Sequence, residues 1–71
     1  MKRDRVNAGY RIIESMHAGT TEFVLGHNPK AVQPYVTWAT NGPSDYFWGH
    51  YFDTLREAQR DLAKRVLTAL P

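Results

Sequence analysis

The apolar residues of this chain change their spacing at one point, and that change limits what the chain can become. Up to Phe52 they fall in short runs between turn-forming residues. From Leu55 onward, Leu55, Ala58, Leu62, Val66 and Ala69 recur at three- and four-residue steps. That spacing winds into a single stripe on a helix of about 16 residues. Thr54-Leu55-Arg56-Glu57 marks its start as a capping box: the Thr54 hydroxyl accepts from the Glu57 amide, and the Glu57 carboxylate reaches back to the Thr54 amide. Lys64 and Arg65 lie toward its other end, where cations suit the helix dipole, and Pro71 ends the chain. A helix with one apolar stripe needs a surface to lie on, and the preceding segments must supply it.

Those segments read as strands. Turn formers at Ala18-Gly19-Thr20, at His27 to Pro34 and at Asn41-Gly42-Pro43-Ser44 divide the chain into four. Gly9 to His17 places Tyr10, Ile12, Glu14 and Met16 on one side, with Arg11, Ile13, Ser15 and His17 on the other. Thr20 to Asn28 sets Thr21, Phe23 and Leu25 opposite Glu22 and Val24, and the spacer containing Gly19 suits a hairpin between the two segments. Gln33 to Thr40 has the β-branched and aromatic content of a strand. Asp45 to Phe52 carries five aromatic residues around Gly49, which marks a bulge or a close approach. The expected fold is α+β: a three- or four-stranded antiparallel meander with one C-terminal helix packed on one face, the other face solvated.

With 71 residues and no cysteine, the chain has no disulfide, thiolate metal site or cysteine nucleophile, so apolar packing alone must hold it. The net charge of +2 is accounted for by Lys2, Arg3 and Arg5 against Asp4. Residues 1–8 therefore read as a flexible basic arm and 9–71 as one nearly neutral domain. The calculated pI of 9.2 describes the arm more than a basic surface. No run approaches a membrane span and no apolar leader follows Met1, so the expected setting is cytoplasmic, without membrane contact.

Chemistry-bearing residues are dispersed. His17, His27 and His50 have no i, i+4 pairing, and they read as solvent-facing or hydrogen-bonded side chains; a divalent-metal site assembled from all three is the sharper alternative. Asp45 and Asp53 bracket a strand, Asp61 stands four residues before Arg65, and Glu57 three before Arg60, as on a solvated helix face. Ser15 and Ser44 lie in no nucleophile motif, and no glycine-rich phosphate loop occurs. The expectation is a protein that is not an enzyme and carries no cofactor.

The aromatic residues are concentrated. Tyr35, Trp38, Tyr46, Phe47, Trp48, Tyr51 and Phe52 fall within 18 residues. Strict alternation sets Tyr46, Trp48, His50 and Phe52 against Phe47, Gly49 and Tyr51. With Phe52 under the helix, Phe47 and Tyr51 face away and join Tyr35 or Trp38 in an open patch for a protein partner, a second copy or a nucleic acid. A bulge at Gly49 reverses that assignment beyond it. Arg56, Arg60 and Lys64 form a column at i, i+4 and i+8 that reads as a solvated edge or, with Arg3 and Arg5, as a phosphate-facing ridge.

At Trp48 to Arg60 the chain resembles two groups. One is a set of short uncharacterised proteins of Gram-positive mobile elements that share a Tyr-Val-Thr-Trp strand, then Trp-Gly-His-Tyr-Phe and a helix. Here these are Tyr35 to Trp38 and Trp48 to Phe52, and the likeness spans most of the chain. The other is the N-terminal arm-binding domain of tyrosine integrases and related plant DNA-binding domains, matched at Phe52, Thr54, Glu57 and Ala58. That resemblance implies a three-stranded sheet laid in the major groove of DNA, but the strands here supply Arg11 and little else that is basic, with Lys30 in a loop. The functional expectation is a binding module that uses an aromatic sheet face on a protein partner, with DNA binding as the alternative.

Overall fold

A computed structural model describes residues 5–42 and 44–70; Met1, Lys2, Arg3, Asp4, Pro43 and Pro71 lie outside them. The element order is β1 (Val6–Asn7), β2 (Tyr10–Ala18), β3 (Thr21–His27), β4 (Tyr35–Thr40), β5 (Tyr46–Phe52) and α1 (Leu55–Ala69). The five strands pair antiparallel in sequence order, one more than the three or four expected. The additional strand is β1, from residues assigned to the arm. Asn7 pairs with Tyr10 across the two-residue turn Ala8-Gly9, where both residues take positive φ, +52° and +86°. That backbone twist matches a hairpin and favours glycine, so Gly9 was the available signal.

The helix follows its capping signal. Thr54 is the N-cap; its hydroxyl accepts from the Glu57 amide at 3.2 Å and donates to the Glu57 carboxylate at 2.9 Å. The carboxylate thus takes the hydroxyl proton, not the Thr54 amide proton. Ala58, Leu62 and Val66 of the expected stripe are buried, while Leu55 and Ala69 at its ends stay exposed. No helix among the described residues is long and apolar enough to cross a membrane.

Two bulges decide which side chains meet the helix. In β2, Ile12 pairs with Gly26 and Glu14 with Leu25, so Ile13 is the extra residue. Directly opposed residues share a face, and beyond the bulge Glu14, Met16 and Ala18 lie on the helix side with Leu25, Phe23 and Thr21. The simple alternation that grouped Tyr10 and Ile12 with Glu14 and Met16 is broken there. The core under α1 comprises Ala18, Phe23, Leu25, Ala39, Ala58, Leu62 and Val66, with Tyr35, Phe47 and Phe52 against it.

The far face is not the solvated surface expected of it. Tyr10, Val24, Val36 and Trp38 form a second cluster there, with Ile12, Ala31 and Tyr46 packed on it. Tyr10 and Tyr51 come from strands separated by two others, yet their ring centroids are 6.0 Å apart, and Trp38 meets both edge-on at 5.7 and 6.4 Å. The sheet is curled so that its edges approach over β3 and β4. The loop 28–34 joins this cover, its Gln33 carbonyl accepting from the Tyr10 hydroxyl at 2.9 Å.

Arg5 locks the same face. Its guanidinium donates to both oxygens of Glu22 at 2.8 and 3.1 Å and its Nε to the Tyr46 hydroxyl at 3.1 Å. Glu22 also accepts from Ser15 and Thr40. The paired guanidinium holds the Glu22 carboxyl down at about 2 against the opposing effect of burial, and the two hydroxyls help.

Candidate functional site

The last strand does not alternate as expected. Thr37 pairs with His50 and Ala39 with Phe47, so Trp48 and Gly49 together stand opposite Trp38. A Cβ on Gly49 would come within 2.8 Å of the Trp38 Nε1. Gly49 is thus taken up by the close approach of a buried indole, and the left-handed bulge position falls to Trp48, at φ +55°. Glycine normally occupies such a position, and a side chain there costs roughly 1–2 kcal/mol. The Trp48 ring is turned outward, 73% exposed, and rests edge-on against Phe47 at 4.9 Å between centroids.

Trp48 overlooks the C-terminal half of α1. Together with Phe23 and His50 it faces Asp61, Lys64, Arg65, Thr68 and Ala69 across a cleft of about 360 Å³. A smaller cleft of about 250 Å³, lined by Phe52, Glu57, Arg60, Asp61 and Lys64, adjoins it through the shared Asp61 and Lys64.

A polar network anchors the wall of the larger cleft. Thr37, wholly buried on β4, donates its hydroxyl to Asp61 Oδ2 at 2.6 Å, and His50 Nδ1 lies 2.9 Å from the same oxygen. A carboxylate only accepts, so His50 donates from Nδ1. Arg65 Nη1 donates to the Thr37 carbonyl and hydroxyl at 3.1 and 3.0 Å. The guanidinium carbon lies 5.5 Å from the centre of the Phe23 ring. Burial pushes the Arg65 pKa down, and the neighbouring Asp61 charge opposes that. The hydroxyl at Thr37 is committed to Asp61 and enclosed, so the cluster orients a cation and presents no activated nucleophile. Asp61 turns to β4 and β5 and Glu57 to Thr54, so among the described residues neither helical pair expected from spacing, Asp61–Arg65 or Glu57–Arg60, is a direct salt bridge, although the Asp61 charge still acts on Arg65.

The residues expected to form one aromatic patch are distributed over both faces. Trp38 is 4% exposed and belongs to the second core. Tyr35 stacks on His27 at 4.7 Å and packs on the helix side. Phe47 also faces the helix-side core, and Tyr51, 44% exposed, lies on the other face. The bulge accounts for the reversal, placing Phe47 inward and turning Trp48 out between the two faces. Of the basic column, Arg60 and Lys64 line the clefts and Arg56 is exposed on the helix. Arg3 lies outside the described residues, and Arg5 is spent on Glu22. The three histidines are not brought together: no group of three or more potential ligands gathers among the described residues.

Reasoning from sequence missed Phe23, Arg65 and Thr37 as site residues and assigned Trp48 to the core. Gly49 beside Trp48 was the available signal. No family model, curated protein or solved structure matches the chain.

Proposed function

We propose that the protein is a small non-enzymatic binding module, working in the cytoplasm, that holds a segment of a partner protein in the cleft between β5 and α1. Trp48 carries the reading. Its ring is exposed on a backbone position that disfavours it, which is a cost to folding with no compensating burial. Exposed tryptophan beside a fixed arginine is the composition of an interaction hot spot. The aromatic face is reassigned by the bulge: the sheet face opposite the helix spends Trp38 and Tyr10 on its own packing, and the outward ring of β5 overlooks the helix instead.

The test is an NMR titration of the whole chain with pooled short peptides. Pools that bind are expected to shift the Trp48 indole and Arg65 side-chain signals together, and Trp48→Gly, which removes the ring and suits the backbone, to abolish the response. A flat response from every pool at millimolar concentration would sink the proposal.

DNA binding is the second reading, favoured by one observation. Arg56, Arg60 and Lys64 stand at successive turns of α1 without an ion pair among the described residues, spanning about 12 Å of its length. Three phosphate contacts give a log K against log salt slope of about −2.7 on duplex DNA. A labelled duplex whose binding is absent, or independent of salt, excludes it.

A further inference from the structure

We infer that the cleft takes the free C-terminal carboxylate of a partner chain whose last residue bears a large apolar side chain. This rests on the cleft being the binding site and names what it recognises.

Arg65 supplies the charge-reading group. Its Nη1 is committed to Thr37, and its guanidinium carbon lies 5.5 Å from the centre of the Phe23 ring. The Nε and Nη2 donors have no acceptor among the described residues. Those two N–H groups lie side by side on the edge of a guanidinium and match a carboxylate bidentately. Holding the other edge in place removes the rotamer freedom that binding would otherwise cost. The charge balance is complementary to an anion: Lys64 and Arg65 line the cleft against Asp61, whose Oδ2 is already occupied by Thr37 and His50.

Size admits the terminus of a chain, and spacing selects it over the interior. A volume of about 360 Å³ is at the small end of ligand clefts, which run from about 300 to 1,000 Å³. It accommodates one large side chain with its carboxylate. The charge-reading and apolar elements are also close, with Arg65 and the Phe23 ring 5.5 Å apart and Trp48 on the same wall. In an extended chain adjacent side chains point to opposite faces, and same-face neighbours are about 6.7 Å apart. On a terminal residue the carboxylate and the side chain hang from one carbon, so both elements are met at once.

The experiment compares four probes by NMR on the whole chain: an acetylated pentapeptide ending in phenylalanine as free acid, the same peptide as C-terminal amide, an amidated peptide with aspartate beside an internal phenylalanine, and inorganic phosphate. The free acid is expected to shift the Arg65 Nε–H and Trp48 indole signals and to bind at least about tenfold more tightly than the amide. Lys64→Gln, at an exposed position, is expected to weaken it a few-fold, and Arg65→Lys to remove the preference for the acid. Equal binding of acid and amide at the cleft overturns the inference while leaving a peptide-binding module. Equal binding of the internal aspartate overturns the terminal assignment. Phosphate binding as tightly as the free acid overturns the carboxylate and favours the nucleic-acid reading. No cleft response to any peptide overturns the parent proposal along with it.

Discussion

Trp48 and Glu22 are the two residues whose local state has the clearest measurable consequence. At Trp48 the backbone is left-handed and the ring is largely in solvent. Trp48→Gly relieves the backbone and Trp48→Ala does not, while both lose the edge contact to Phe47. The glycine variant is therefore expected to be more stable than the alanine variant by about 1 kcal/mol in urea denaturation; equal stabilities would place no strain at this residue. Glu22 is the acid-sensitive position. Its carboxyl is lowered from 4.5 to about 2 in the folded chain, chiefly by Arg5. Between those values the unfolded chain binds the proton and the folded chain does not, so stability contributed by this group is complete above about pH 4.5 and lost as pH falls toward 2. Glu22→Gln is expected to lower the thermal midpoint at pH 7 and to flatten its decline across that window. An unchanged acid slope would assign the sensitivity to other carboxylates. Neither role was legible in the sequence, since Glu22 and Arg5 lie 17 residues apart and their meeting needs the curled sheet.

Elements were more legible than the relations between them. The helix was readable because its stripe and cap depend on residues within one or two turns of one another, and β2 to β5 fall close to the segments marked out by glycine, asparagine and proline. β1 escaped because two residues offer no period to read. The bulges escaped for a different reason: an extra residue can sit at several places in a strand without altering its composition. In β5 it sits at Trp48 and Gly49, opposite one residue, Trp38. Gly49→Ala tests that account. The added carbon meets Trp38 Nε1 at 2.8 Å, and the indole has no room to retreat in its cluster. A loss of about 1–3 kcal/mol is expected, read by urea denaturation and accompanied by a shift of the Trp48 indole signal. A neutral result would mean that the strand, not the indole, yields.

The molecule as a whole is held by two cores on one sheet. The helix covers one, and the curled edges of the sheet cover the other, which is how a cysteine-free chain of 71 residues finds enough surface to bury. Tyr10 closes the second core, joining β2 to Trp38, Tyr51 and the 28–34 loop. Tyr10→Phe removes one hydrogen bond and is expected to cost about 1 kcal/mol. Tyr10→Ala is expected to cost about 3 kcal/mol or more, a large share of the roughly 5–15 kcal/mol that such domains possess. Similar losses for the two variants in urea denaturation would mean that the ring contacts add little. By itself the sequence determined the α+β class, the order of the elements from β2 to α1, the helix start and the absence of any disulfide, because each rests on residue type or on spacing within a few positions. The tertiary structure alone decided which aromatics became core and which became site. One doubled residue reverses the side chains on one side of it relative to those on the other, and the cleft is assembled from Phe23, Trp48 and Arg65, residues that only the folded sheet brings together.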